Sequence, residues 1–291
     1  MRIGLFTVHH TLGARMPVAS PFIPFMVGCA EGPAPTGYLG DGLGMSLKTA
    51  GHPAERYGDL RAAFSVWKNC LNDYDIIGFQ QYRRLYFFDT PSIRKNFPQT
   101  EAGLKILHRH PNYHLNIGNE GFGQYVDALE QASGEVVDLI VRLTDRGVIV
   151  NRRLLLDGSI EHHFHKVHPG CHLDVVKDIL KSRGGRMADI ATDLTTVTWA
   201  PFCNMYIARA AIFDQIMTDV FDIMFEAEER ILALPGGQQE RSLAFVAERL
   251  LAALLVDIGV RAPDTHLIDV PVLSLVPDFG NDLVQSVGRV I

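Results

Sequence analysis

The sequence lacks the features of several common protein classes. Its four cysteines are scattered over 291 residues, which argues against a cysteine zinc site and against a disulfide framework. A reducing compartment is therefore expected. No apolar run reaches the roughly 18 residues needed to cross a bilayer, and the first ten residues are typical of a strand rather than a secretory signal. We expect a cytoplasmic protein, either free or resting on the inner face of a membrane.

Charge and motif patterns narrow the function further. A net charge of −6 gives no electrostatic reason to expect nucleic acid as a partner. The glycines of residues 37–44 complete neither the dinucleotide-binding pattern nor the phosphate-loop pattern, and no serine elbow is present. Asp73 and Asp75 have the spacing of a metal-binding aspartate pair, but they precede an apolar run instead of following it.

The order of apolar segments predicts an α/β protein. Strands are predicted at residues 1–10, from residue 75, and at 148–150, 199–208 and 270–276. Helices are predicted at residues 57–70, 125–143, 172–181, 212–231 and 240–258, whereas residues 11–56 and 89–124 are predicted to be irregular. No linker divides the chain, so we expect one domain over residues 1–291. Its second half is expected to be helix-rich.

The most informative segment is residues 75–88. Its apolar run ends abruptly in Gln80, Gln81, Tyr82, Arg83 and Arg84. Ligands of open α/β sheets bind at the carboxyl ends of the strands, and guanidinium groups suit an anion such as a diphosphate. In a continuous strand, Gln81 and Arg83 would share one face and Tyr82 and Arg84 the other. One arginine would then face the ligand unless the strand breaks there; a structural salt bridge is the alternative.

The predicted helix over residues 240–258 contains two adjacent charges among leucines, Glu248 and Arg249. A carboxylate on a mostly buried helix must be paired with a cation or become harder to ionise. A carboxylate that is harder to ionise suits a general base that removes a proton from a hydroxyl nucleophile. A structural ion pair that ties this helix to the sheet is the alternative.

Five histidines crowd a segment of eleven residues: His162, His163, His165, His168 and His172. His168 and His172 would share a helical face, but Pro169 and Gly170 interrupt a helix between them. No established zinc spacing is matched. Three interpretations are open: a metal site, hydrogen bonding of one or two imidazoles to a polar substrate, and a solvated surface cluster.

Three segments together resemble a known family. The first joins Tyr57, Asp59 and Leu60 to the Trp-Lys-Asn of residues 67–69 and the Tyr-Arg-Arg of residues 82–84. The others are residues 204–223, with Asn-Met-Tyr-Ile at their start, and residues 241–251, with Glu-Arg-Leu-Leu at their end. Residues 41–44 also match a loop of that family.

The combined pattern resembles the bacterial capsular and exopolysaccharide glycosyltransferases first catalogued as a domain of unknown function. Two departures are visible: Gln81 stands where the family usually has histidine, and Asp59 where it usually has glutamate. Both changes keep hydrogen-bonding ability. They put in doubt any role that needs an imidazole or the longer carboxylate at these positions.

The resemblance implies a GT-A-like fold. Its first half, about residues 1–150, would be Rossmann-like with a mostly parallel sheet and would bind the nucleotide sugar, and its helix-rich second half, about 151–291, would bind the acceptor. It implies a UDP-linked donor, with galactofuranose as a transferred sugar, and a saccharide or lipid-linked saccharide acceptor in surface polysaccharide or O-antigen synthesis. The expected donor-binding residues are Thr7, His9, His10, Asp41, Gly44, Asp59, Lys68, Gln81, Tyr82, Arg83 and Arg84. The expected contacts to the acceptor or the donor sugar are His163, His168, Asn204, Met205, Arg241 and Arg249.

For the mechanism, we expect inverting transfer with Glu248 as the base. No cofactor is expected to be required, because the aspartate pair that holds a divalent metal in many enzymes of this fold has no counterpart after the strand at residue 75. Manganese or magnesium is kept as an alternative. Two other functions stay open: an inactive nucleotide- or sugar-binding partner of a polysaccharide assembly complex, and a metal-dependent hydrolase that uses the histidines.

Overall fold

The computed structural model describes residues 1–13, 15–29, 32–109, 114–262, 264–277 and 284–286. Its strands are β1 Ile3–His9, β2 Phe22–Met26, β3 Leu39–Gly40, β4 Ile76–Gln81, β5 Arg84–Tyr86, β6 His114–Ile117, β7 Gly147–Asn151, β8 Leu154–Leu155, β9 Trp199–Ala200, β10 Tyr206–Arg209, β11 His266–Val270, β12 Val272–Leu275 and β13 Val284–Ser286. Its α-helices are α1 Leu60–Cys70, α2 Pro91–Asn96, α3 Thr100–Arg109, α4 Asn119–Gln131, α5 Ser133–Thr144, α6 Ile160–Val167, α7 Gly170–Arg183, α8 Gly185–Thr196, α9 Ala210–Leu232 and α10 Ser242–Arg261.

A single mixed sheet organises the described strands, and β8 and β9 form a separate pair. The main part of the sheet has the order β3-β2-β1-β4-β10-β7-β11, in which β10 runs against the other six strands. A hairpin from β4 to β5 leads to a second branch, β5-β12-β6-β13. The predicted α/β class, with a mostly parallel sheet and a helix-rich second half, is confirmed. The extent of a single domain over residues 1–291 stays a prediction.

Both faces of the sheet are covered. Phe6 and Val8 of β1 belong to one buried cluster with α1, α9 and α10, whereas Ile3 and Leu5 belong to another with α4 and α5. Successive side chains of a strand point to opposite faces. A strand buried on both faces therefore has an unbroken apolar sequence, which explains why β1 and β4 lack polar alternation.

Close packing of β4 on β10 requires a glycine. A Cβ atom at Gly78 would lie 2.6 Å from Cγ1 of Ile207 on β10, and Gly78 pairs directly with Ile207 in the antiparallel register.

Helix α10 packs against this sheet and is buried on nearly all sides, as its sequence predicted. Within the described residues, none of the helices is both long and apolar enough to span a membrane.

Two segments predicted to be irregular contain regular structure, so those predictions were wrong. Residues 11–56 include β2 and β3, and Pro24 inside β2 disguised a strand, since proline is rare within sheets. Residues 89–124 include α2, α3 and β6. Pro91 opens α2, where Thr90 Oγ1 accepts a hydrogen bond from the Ile93 amide at 3.3 Å. A proline taken as a breaker is here a helix start.

Helix boundaries also differ from the sequence-based expectation. The single helix predicted over residues 125–143 is two helices, α4 and α5, which meet at Ala132. Helices α6 and α8 and strand β11 were not predicted. The strand predicted at residues 199–208 is divided into β9 and β10, and the intervening residues 201–205 form part of the candidate site.

Candidate functional site

The carboxyl ends of the parallel strands meet at one edge of the sheet, where the antiparallel β10 begins. His10 follows β1, Gln81 ends β4, Asn151 ends β7, and Asn204 precedes β10. This edge is where open α/β sheets bind their ligands. The fold therefore brings together residues from four separate parts of the sequence.

Asp59 is the central carboxylate at this edge. It immediately precedes α1, and its side chain is 8% exposed. His10 Nε2 contacts its Oδ1, and Gln81 Nε2 donates to its Oδ2 at 2.5 Å. Burial raises the pKa of Asp59, but the hydrogen bond and charge of His10, the charge of Arg241 and the Gln81 hydrogen bond lower it further, so the net shift is downward. Asp59 is thus held as a carboxylate.

The strand that carries the arginines breaks at the site. Strand β4 ends at Gln81, residues 82 and 83 form a turn, and Gln81 pairs with Arg84 at the start of β5. The two arginines therefore do not lie on one continuous strand, and strand alternation does not place them on opposite faces. Both side chains are exposed. Arg84 Nη1 donates to Gln81 Oε1 at 2.6 Å, and the Arg83 guanidinium lies 5.0 Å from the Tyr82 ring centroid.

A strained turn stands between β9 and β10. Cys203 and Asn204 have φ angles of 71° and 52°, a left-handed conformation that is uncommon for residues other than glycine. The Cys203 carbonyl accepts a hydrogen bond from Gln81 Nε2 at 3.2 Å, and its amide donates to Glu248 Oε1 at 2.8 Å. The main chain of Cys203 therefore joins the Asp59 side of the site to α10.

The Cys203 thiol does not have the character of a nucleophile. Burial raises its pKa to about 11, and the opposing effect of Arg84 is smaller. A thiol that stays protonated at neutral pH is a weak nucleophile. No sequence pattern marked Cys203 as part of the site, because its contacts are made by the main chain.

Glu248 forms an ion pair inside α10, not the ion pair to the sheet that the alternative interpretation described. Its Oε2 forms an ion pair with Arg249, and its Oε1 accepts the Cys203 amide. The Arg249 side chain is 1% exposed and lies 4.7 Å from the Phe202 ring centroid. Arg249 Nη2 is also 3.4 Å from His163 Nδ1. A chain of polar contacts therefore runs from His10 through Asp59, Gln81, Cys203, Glu248 and Arg249 to His163.

A cleft opens beside this chain of contacts, lined by Val8, Asp59, Leu60, Ala63, Phe79, Gln80, Gln81, Cys203, Asn204 and Tyr206. Asn204 Oδ1 and Tyr206 Oη are buried and have no hydrogen-bond partner within the described part of the chain. The same holds for Tyr86 Oη and for the side-chain amide of Asn151. Buried polar atoms ordinarily have partners; of these four residues, Asn204 and Tyr206 line the cleft, whereas Tyr86 and Asn151 do not. Asn151 carried the same sequence signal as Gln81, a polar residue that ends an apolar strand, and was missed.

His9 lies in an aromatic setting next to this cleft. Its ring stacks on Tyr82 with centroids 5.3 Å apart and meets the edge of Tyr38 at 5.2 Å. Burial lowers the pKa of His9 to about 4, an effect that the Thr11 backbone opposes and His10 reinforces. His9 is therefore neutral at physiological pH.

Asp41 and Gly44, two of the residues predicted to bind the sugar donor, make contacts that fix the loop before α1. Asp41 accepts the Cys29 amide at 2.8 Å and pairs with Arg61 of α1 at 2.6 Å. Gly44 has a φ of +57°, and a Cβ atom there would lie 2.2 Å from Asn69 Oδ1. The loop of residues 41–45 is thus tied to α1, and the contacts of both residues hold the fold together.

Thr7 and Lys68 are also engaged within the protein. Thr7 is fully buried, and its hydroxyl accepts a hydrogen bond from Gln80 Nε2 at 3.0 Å. Lys68 Nζ lies 3.2 Å from the centroid of the Trp67 ring. Neither residue lines the cleft.

The histidines of residues 162–172 do not converge on one point. His163 stacks on Phe202 and His168 on Phe245, with centroids 5.5 and 4.2 Å apart, and His172 Nε2 is 2.9 Å from the Pro235 carbonyl. Burial lowers the pKa of His168 to about 4, and nearby Arg249, His163 and His172 lower it further. Helix α6 ends before Pro169, as the sequence predicted.

One group of side chains has metal-ligand geometry within the described residues. Ligand atoms of Glu161, His165 and Asp174 lie within 4.8 Å of one another. Lys177 Nζ contacts Glu161 and lies 3.1 Å from Asp174 Oδ1. Its ammonium already pairs with both carboxylates, so this group is better described as an ion-pair cluster than as a metal centre.

Met205 and Arg241 have different surroundings. Met205 is 1% exposed and packs in the core cluster on the α4 face of the sheet. Arg241 precedes α10 with a φ of 62°, is exposed, and acts on Asp59 through its charge. Arg241 therefore contributes to the site through its charge, whereas Met205 is part of the core that supports the site.

The family model described as Domain of unknown function (DUF4422) matches residues 5–257. The chain belongs to this family. The apo structure of the bifunctional glycosyltransferase WbbM is similar to the chain, with a TM-score of 0.71 and 18% sequence identity. The similarity covers 99% of this chain and 48% of the WbbM chain, so the chain spans about half the length of WbbM. At this identity the similarity shows a shared fold. No curated protein matches the chain.

The DUF4422 match includes the whole chain of contacts from His10 to Arg249. It also contains the strained turn at Cys203 and Asn204, and both arginines after β4. The candidate site is therefore built from the part of the chain that defines its membership of the DUF4422 family.

Proposed function

We propose that the protein is a glycosyltransferase that moves a sugar from a nucleotide-sugar donor to a hydroxyl group of a saccharide or lipid-linked saccharide. One observation carries the proposal: two exposed arginines follow β4 at the carboxyl edge of the sheet, where Gln81, at the end of the same strand, lines a small cleft. The shared fold with WbbM, whose description is that of a bifunctional glycosyltransferase, supports it.

The proposed donor is UDP-linked, with galactofuranose as the first sugar to test, and the proposed setting is bacterial capsular, exopolysaccharide or O-antigen synthesis. Asn204 and Tyr206, which line the cleft, carry side-chain groups of the kind that bind sugar hydroxyls. We place the protein in the cytoplasm or at the inner face of the membrane, because nucleotide sugars are the proposed donors. A GT-A-like division into donor and acceptor halves is part of the same proposal.

The residues after β4 do not fit a metal held by two aspartates. The chain there presents Tyr82, Arg83 and Arg84, and the nearby carboxylate of Asp59 is occupied by His10 and Gln81. Guanidinium groups are strong partners for phosphate oxygens. In the proposed reaction, Arg83 and Arg84 offset the charge that develops on the departing diphosphate. We therefore propose metal-independent transfer.

The proposed chemistry is an in-line displacement with inversion. The acceptor oxygen attacks the anomeric carbon while the bond from that carbon to the diphosphate oxygen breaks. A base at the edge of the sheet takes the hydroxyl proton.

The test combines binding with turnover. Purified protein is screened by thermal shift against nucleoside diphosphates and UDP-sugars, because a ligand that binds the native state raises its stability. Release of UDP from each donor is then measured with and without acceptor saccharides, and again in excess chelator. Stabilisation by a donor without release of UDP would favour the inactive binding partner. Activity lost in chelator and restored by manganese would contradict metal independence, and neither binding nor release would overturn the proposed function.

A further inference from the structure

His10 and Asp59 form a dyad whose carboxylate lines the cleft. The His10 side chain is 40% exposed, whereas the Asp59 side chain beneath it is 8% exposed. Asp59 Oδ1 contacts His10 Nε2, and Asp59 Oδ2 accepts the Gln81 amide at 2.5 Å. Both oxygens of the buried carboxylate are thereby fixed. Among the described residues the imidazole is held through Nε2, which leaves Nδ1 for a substrate.

We propose that His10 is the general base of the transfer reaction and that Asp59 is its positioning residue. This inference rests on the proposed glycosyltransferase function. Nδ1 of His10 takes the proton of the acceptor hydroxyl as the oxygen forms its bond to the anomeric carbon. The bond from that carbon to the diphosphate breaks, and the diphosphate leaves with the electron pair. The resulting imidazolium then gives its proton to water.

The charges around the dyad match this role. Asp59 orients the imidazole and stabilises the positive charge that forms on it, as buried carboxylates do beside other histidine bases. Within the described residues, the neighbouring titratable or charged groups include His9 beside His10, Arg241 at the start of α10, Arg84 of β5, and Cys203 before β10. Cys203 stays a neutral thiol and His9 a neutral imidazole, and the carboxylate in contact with His10 is that of Asp59.

Glu248 is less well arranged for the same task. One of its oxygens accepts the Cys203 amide and the other pairs with the buried Arg249. Protonation of Glu248 would leave the Arg249 charge unbalanced in a buried position, which is costly. Protonation of His10 adds a positive charge next to a carboxylate.

The decisive experiment compares four variants with the wild-type chain. UDP release and product formation are measured across pH for His10→Gln, Asp59→Asn, Glu248→Gln and His266→Gln, the last an exposed histidine on β11 that serves as the matched control. We expect His10→Gln to lower kcat by about 10²–10⁴-fold with little change in KM for the donor. We expect His266→Gln to match the wild type.

Two further readouts separate catalysis from structure. In folded Asp59→Asn, kcat should fall while KM for the donor stays near the wild-type value, because the imidazole loses the partner that positions it; a merely structural role would not separate kcat from KM in this way. Added imidazole should restore turnover to folded His10→Ala in a saturable manner.

Each possible result bears either on the role of His10 or on the proposed function. If the wild type transfers sugar and the rate of His10→Gln is within threefold of the wild-type rate, the inference is overturned and the proposed function is left intact. A loss confined to weaker UDP binding, without rescue by imidazole, would make His10 a donor contact and overturn its role as base. An inactive Glu248→Gln beside an active His10→Gln would assign the base to Glu248. No UDP release by the wild type from any donor would remove the proposed function and this inference together.

Discussion

The indole Nε1 of Trp67 donates a hydrogen bond of 2.6 Å to Oδ1 of Asp214, which joins α1 to α9. The Trp67 ring also stacks on Phe221 of α9, with centroids 5.9 Å apart. Helix α1 begins directly after Asp59, so this contact fixes the helix whose start carries the central carboxylate. The Trp-Lys-Asn segment therefore acts on the site through the helix it anchors.

Replacement of Asp214 with alanine should lower the free energy of unfolding by about 1.5–3 kcal/mol, because the indole N–H loses a charged acceptor. Urea denaturation followed by fluorescence measures the change. The matched control is Asp222→Ala on the same helix, whose ion pair with Arg183 involves a 64% exposed carboxylate and should be worth about 0–1 kcal/mol. Equal losses in the two variants would contradict the role of this bond.

A Gly44→Ala variant should be less stable than a Gly37→Ala variant. Both glycines have positive φ angles, +57° and +85°, but a Cβ atom meets Asn69 at Gly44 and nothing within 4 Å at Gly37. Each variant should lose about 1–2 kcal/mol from the left-handed conformation, and Gly44→Ala should lose more because the Asn69 amide must move. Denaturation midpoints of the two variants test this, and a Gly37→Ala variant of equal or lower stability would refute it.

Glu248→Gln should destabilise the fold more than it impairs the chemistry. The substitution leaves Arg249 buried with an uncompensated charge, for which the expected cost is about 3 kcal/mol. Glu229→Gln, at an exposed position of α9, is the control for loss of a carboxylate. Chemical denaturation measures the stability of both variants, and activity is normalised to the folded fraction. Unchanged stability of Glu248→Gln would show that the pair with Arg249 is not the main role of Glu248.

Arg84→Gln should weaken UDP binding more than Arg83→Gln does. Arg84 is held by Gln81 close to Asp59, whereas Arg83 packs on Tyr82. Loss of a charge-assisted contact to the diphosphate should raise Kd about tenfold or more. Calorimetry at two salt concentrations measures both variants, with Arg94→Gln, an exposed residue paired with Asp89, as the control. A larger effect of Arg83→Gln would exchange the two roles.

Stability should rise with pH between about 4 and 6.5 because of His168. Burial lowers the pKa of this imidazole in the folded state from 6.5 to about 4, so in that window the unfolded chain binds more protons. The contribution is present above pH 6.5 and is lost as the pH falls towards 4. His168→Phe, which keeps a ring against Phe245, should flatten the slope. His162→Phe is the exposed control and should not; denaturation at pH 4.5, 5.5 and 7 compares them.

Much of the site was predictable residue by residue, because polar side chains at the ends of apolar strands mark the ligand edge of an α/β sheet. Gln81 and His10 carry that local signal, whereas Asp59 precedes a helix and was predicted only through the family resemblance. Their mutual contacts were not predictable, since periodicity reports the faces of one element and not its neighbours in the sheet. Strand β10 lies between β4 and β7, and this order places Cys203 against Gln81, 122 residues away in the chain. The break at Tyr82 was also hidden, because Arg83 and Arg84 fit a strand as well as a turn.

The link through Cys203 consists of a carbonyl and an amide of the main chain. Substitution of the side chain leaves both atoms in place, so the two sides of the cleft stay connected whatever residue occupies position 203, provided that it tolerates a positive φ. Related proteins can therefore differ freely at this position and still share the connection. A comparison of side chains alone would overlook it.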